Sequence, residues 1–155
     1  GPMPAISRVF ETIGMAEVAR SAAEGKEKLF LRRDDGITMN RDRLLFEAKA
    51  KALALAEDYQ PPKPVDISLP GPTAKLAMGM AVEGFRLQGK ATDHDEVVAR
   101  ELATILSGDD TDITETVTED DLLKLERKAF MKLIKTPATL ARIEHMLETG
   151  KPLRN

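Results

Sequence analysis

Glu126 is the side chain whose placement most invites chemistry. At about 100° per residue it falls near the middle of the stripe made by Leu122, Leu125, Ala129, Phe130 and Leu133. A carboxylate on a core-facing line must be paired, hydrogen-bonded or shifted in pKa. Arg142 and His145, further along the chain, are candidate partners. A lone carboxylate with no second acid and no nucleophile specifies no reaction, so the role expected of Glu126, Arg142 and His145 is structural. His94 and His145 have no ligand type four residues on, which argues against a metal site. Asp109-Asp110-Thr111-Asp112 has the acidity of a calcium loop without its glycine and terminal glutamate. Ser7, Ser21, Ser68 and Ser107 lack a nucleophile-elbow setting, and no G-x-G-x-x-G or G-K-[ST] phosphate loop occurs. No catalytic residue and no metal ligand is therefore expected. Lys151, in Lys151-Pro152-Leu153-Arg154, has two readings: a cation placed on a helix C-terminus by the helix dipole, or a contact to the phosphates of a nucleotide-like ligand.

The elements that would hold these residues are helices. The 155 residues contain no cysteine and no tryptophan, and leucine, alanine and methionine must fill the core. A formal charge of −3 argues against a nucleic-acid partner. No apolar run approaches the ~20 residues of a membrane span, and no signal peptide opens the chain. The expected product is a soluble, cytoplasmic, all-α protein: an irregular bundle of five to seven helices with a proline-rich strap.

Along the chain, residues 1–3 read as a protease-cleavage remnant ahead of a start methionine, set apart from the fold. A short helix over 5–14 follows, then a capping box at Ser21-Ala22-Ala23-Glu24. Leu29-Phe30-Leu31 reads as a short extended piece and residues 32–36 as a turn. Asn40 caps a helix to about Asp58 that is apolar on two faces, Leu44, Ala48, Ala52 and Leu55 on one and Phe46, Ala50 and Leu53 on the other. Residues 59–72 carry five prolines, which excludes a helix there. The alternation of Val65, Ile67 and Leu69 favours a strap over a free tether. The helix from Pro72 to Gly89 is apolar over more than half its circumference and reads as a central core helix, or alternatively as a methionine-rich acyl-chain or oligomer surface. Thr92 caps a helix stopped by Gly108, and residues 109–119 form an acidic loop. Thr118 and Thr136-Pro137 open two closing helices, the second ended by Gly150.

Those closing helices carry a resemblance. Leu125-Glu126-Arg127-Lys128-Ala129-Phe130, Thr136-Pro137 and Arg142-Ile143-Glu144-His145-Met146-Leu147 through Lys151-Pro152-Leu153-Arg154-Asn155 resemble the C-terminal helices of the crotonase (enoyl-CoA hydratase/isomerase) family. They look most like the end of bacterial fused 3-hydroxyacyl-CoA dehydrogenase/enoyl-CoA hydratases of fatty-acid β-oxidation. Residues 16–57 are similar to the crotonase stretch that follows the active-site helices, departing at Gly25 and Leu29, where that family has alanine and glycine.

The resemblance implies one compact domain, divided into a crotonase-like segment over 4–58, the strap over 59–72, a helical insertion over 73–117 and a crotonase-like helix pair over 118–155. It implies that the catalytic residues, and the NAD and CoA thioester of the parent enzyme, lie outside this stretch. Lys151 becomes the candidate CoA-phosphate contact. The partners implied are the remainder of the parent enzyme and a second copy, a homo-oligomer formed through helices. The function implied is structural and assembling, with a free-standing helical protein-interaction module as the alternative.

Overall fold

A computed structural model describes all of residues 1–155. Its helices are α1 (Met3–Gly14), α2 (Ala22–Glu27), α3 (Leu44–Ala56), α4 (Gly71–Leu87), α5 (Asp93–Ser107), α6 (Glu119–Leu133) and α7 (Pro137–Thr149). The extended pieces β1 (Ile67–Ser68) and β2 (Thr116–Val117) pair antiparallel, Ile67 opposite Val117 and Ser68 opposite Thr116. The molecule is mostly helical, as its composition implied.

Contacts group the chain into two compact units, Gly1–Ala16 with Pro64–Asn155, and Glu17–Lys63. In the first unit α4 packs chiefly on α5, with α1 and α6 added against α5. The small core is Ala74, Met78 and Ala103, closed by Met3, Ile6, Phe10 and Leu106. Met3 opens α1 and packs against this core, and the Ile6 N–H donates to the Pro2 carbonyl at 3.1 Å.

Helix ends follow local chemistry. Thr92 and Thr118 each close a reciprocal capping box, with Asp95 and Asp121 at the third helical position. Thr136 caps α7 ahead of Pro137, and Gly108 and Gly150 take left-handed conformations where α5 and α7 stop. Leu69 and Pro70, at the end of the proline-rich segment, are buried against the loop after α5. A Cβ on Gly108 would come within 3.0 Å of Leu69, and one on Gly71 within 3.0 Å of Ile113 and of the Thr111 carbonyl. Of the three apolar strap residues Leu69 is buried, Ile67 half-buried and Val65 exposed.

Two expectations are corrected. α4 is not covered all round: Ala74, Met78 and Val82 are buried, while Leu76, Met80 and Leu87 are exposed, because neighbours pack on one side only. On its packed side Gly79 lies under the Arg100 guanidinium, while Ala77 and Ala81 face outward. Leu29–Leu31 is the stop of α2 rather than an extended piece. Leu29 sits at φ +62°, and the Phe30 and Leu31 N–H groups both donate to the Gly25 carbonyl. A helix end needs donors for its last carbonyls, and that need fixes the backbone here. Glycine adopts this conformation without the steric cost a leucine meets.

Candidate functional site

The most organised polar cluster lies where the chain end meets the start of α5. Thr92 is there because it caps the helix, and Asp95 because it completes the capping box: Asp95 N–H donates to Thr92 Oγ1 at 3.0 Å and Thr92 N–H to Asp95 Oδ2 at 2.9 Å. Arg142, on α7, reaches the same corner. Its Nη2 donates to Asp95 Oδ1 at 2.8 Å, to Thr92 Oγ1 at 3.3 Å and to the Asn155 carbonyl at 3.2 Å, and its Nε donates to Asn155 Oδ1 at 2.7 Å. Asn155 in turn donates to the Ala138 carbonyl, and Arg154 to the Lys90 carbonyl. The guanidinium fork thus clamps α5, α7 and the last residues together.

Burial pushes the Asp95 carboxyl up, but the Thr92 N–H and the Arg142 guanidinium outweigh it and hold the group below the usual carboxylate range. Next to it His94 is buried, its Nε2 2.8 Å from Thr139 Oγ1. Burial, reinforced by the Arg142 charge and opposed by Asp95, pushes this imidazole below its ordinary value. A hydroxyl against an imidazole is half of a nucleophile–base arrangement. Here the hydroxyl also lies 3.0 Å from Thr136 Oγ1, within the cap of α7, and the imidazole is inside the packing. The pair joins α5 to α7.

A native state that favours neutral His94 makes a pH prediction. Between the depressed native value and the unfolded value of about 6.5, the unfolded chain binds a proton that the native state resists. The stability contributed is whole above about pH 6.5 and is lost as pH falls through the native value. His94→Gln should flatten the fall in melting temperature as pH drops below about 6.5. Identical slopes for variant and wild type would exclude His94 as the titrating group.

Asp95 and Arg142 also line a groove of about 600 Å³. Its apolar wall includes Ile13 from α1, Val98 and Leu102 from α5, and Leu123, Phe130 and Leu133 from α6, with Glu101, Glu126 and Arg127 as further polar lining. Glu126 is therefore on the apolar stripe, as its spacing required, but the stripe borders an open groove and Glu126 is exposed. Its expected pairing with Arg142 or His145 does not occur, since Arg142 is occupied by Asp95, Thr92 and Asn155. His145 is half-buried, and its carbonyl accepts from Thr149 Oγ1 at 2.7 Å. Lys151 is exposed beyond α7 and outside the groove lining, its N–H donating to Thr149 Oγ1 at 3.1 Å.

Of Glu126, Arg142, His145 and Lys151, then, only Glu126 and Arg142 line one groove. Asp95, Asn155 and the His94–Thr139 pair were missed. Asp95 had a readable signal in its T-x-x-D box, but its partner lies 47 residues on. No group of three or more acidic, histidine or cysteine side chains is placed to hold a metal ion, and no helix is long and apolar enough to cross a membrane.

The chain is 39% identical over 155 residues to a probable 3-hydroxyacyl-CoA dehydrogenase of Bacillus subtilis (strain 168). That match takes in 99% of this chain and 20% of the relative. The chain thus spans a fifth of the length of the curated protein it matches. No family model matches it, and no solved structure does.

Proposed function

We propose that this chain is a helical, non-catalytic part of a longer fatty-acid β-oxidation enzyme of the 3-hydroxyacyl-CoA dehydrogenase kind, with a structural and assembling role. The observation that carries the reading is the 39% identity spread over 99% of the chain and confined to a fifth of the relative. The polar cluster agrees with it, because its groups are spent on holding α5, α7 and the chain end together.

The finer assignment is that this stretch is the crotonase-like end of a fused dehydrogenase/hydratase acting in the cytoplasm. It rests on the wording of residues 118–155. The starts of α5 and α6 do not suit the phosphates of a dinucleotide. α5 and α6 both open with three acids in the first turn, Asp93, Asp95 and Glu96, and Glu119, Asp120 and Asp121, where a phosphate would meet negative charge. NAD is proposed to bind another part of the polypeptide. Lys151 is the cation proposed to meet CoA phosphates, and the partners proposed are the rest of the enzyme and a second copy.

The test is enzymatic. The full-length polypeptide containing this stretch should oxidise 3-hydroxyacyl-CoA with NAD, and residues 1–155 alone should neither do so nor hydrate crotonyl-CoA. Turnover by the isolated chain would overturn the reading. A thermal shift with CoA that Lys151→Ala abolishes would support the phosphate contact, and a flat titration would remove it.

A further inference from the structure

The second unit, Glu17–Lys63, contains a helix that its surroundings do not explain. Ten of the 13 residues of α3 are alanine, leucine or phenylalanine, yet every residue except Glu47 is exposed. Leu45 is 81% exposed and Phe46 67%. Within its unit α3 packs on the Arg41–Arg43 turn that precedes it. Thr38 Oγ1 and Arg43 Nε both donate to the Glu47 carboxylate, fixing the N-terminal half. Such a helix is normally enclosed, and an exposed apolar surface of this extent marks an interaction site.

The charges say what kind of cover it needs. On the helical wheel one wide face holds Leu44, Leu45, Ala48, Ala52 and Leu55, and a narrower one holds Phe46, Ala50 and Leu53. Lys49 separates the faces on one side, and Glu47 with Lys51 on the other. A lipid surface takes a helix with one polar and one apolar face, which α3 is not. A twofold partner helix would cover one face and leave the other in water. Two uncharged walls with room for charge between them are needed.

We propose that α3 is the docking helix by which this chain seats in the remainder of the longer polypeptide, its Leu/Ala face and its Phe46 face each covered by an apolar wall. This rests on the function proposed above, and the relative's length supports that occupant. With 20% of the relative matched, the other four fifths is available to supply the walls.

Hydrogen exchange of the full-length polypeptide against residues 1–155 tests it. In 1–155 the α3 amides should exchange within about tenfold of unstructured rates, since an uncovered helix of this length is marginal. In the full-length polypeptide they should slow by at least about 100-fold at every protein concentration, and Leu45→Asp should abolish most of that protection. Protection already present in 1–155 would mean that the chain covers α3 itself, and would overturn the inference. So would protection that grows with concentration, which marks a second copy, or protection in neither protein. Failure of the functional reading shows separately, as absence of NAD-dependent 3-hydroxyacyl-CoA oxidation by the full-length polypeptide whatever α3 does.

Discussion

Replacing Arg142 with alanine should lower stability by about 2 kcal/mol, a fall in melting temperature of about 4–8 °C for a chain of this size. The side chains of Arg142 and Asp95 are 22% and 28% exposed. The pair is thus neither a solvated surface bridge, worth a fraction of a kcal/mol, nor a fully dry one, whose disruption costs about 3–5 kcal/mol. Truncation leaves the Asp95 carboxylate without its guanidinium and strips Asn155 of both its Arg142 donors. Arg142→Lys keeps the charge but not the planar fork that serves Asp95 and Asn155 together, so it should recover only part of the loss. The pH dependence adds a sign. The Asp95 carboxyl is held below its ordinary value, so its contribution is present above about pH 4 and is lost as pH falls through the native value. The gap in melting temperature between wild type and Arg142→Ala should therefore narrow below about pH 4, leaving the part owed to Asn155. Equal melting at pH 7 would show that the clamp carries no stability.

The parts of this arrangement that could be read from sequence are those whose partners lie within a few residues. Thr92, Thr118 and Thr136 accept from backbone N–H groups three residues on, and Gly108 and Gly150 stop their helices through their own backbone freedom. The Asp95–Arg142 pair depends on α7 returning to the start of α5, which no local pattern encodes. Periodicity placed Glu126 on the correct stripe of α6 and misjudged its environment, because an apolar face announces a need for cover without saying whether cover is present. The same reasoning made α4 a central helix, although Leu76 and Met80 face outward. Apolar pattern and actual burial diverge most in α3, which is why that helix, and not the polar cluster, points beyond this chain.

Met78→Ala should have the largest effect, about 3 kcal/mol, or a fall of about 6–12 °C in melting temperature. Met78 is 4% exposed, and the two other buried members of its cluster, Ala74 and Ala103, are small. It is therefore the side chain that fills the space between α4, α5 and α1. Its walls on the α1 side are Met3, Ile6 and Phe10, all only partly buried. That bounds the cost from above: flexible neighbours at the edge of a core can settle into part of the cavity, and a site that collapses costs less than one that stays open. The settling has its own signature. α1 has no buried residue and is held through this cluster, so its amides should lose protection in Met78→Ala more than those of α6. Met78→Leu, which nearly conserves volume, should cost less than about 1.5 kcal/mol and leave α1 protected. If alanine and leucine at this position melted alike, Met78 would not be the element that joins α1 to the α4–α5 pair.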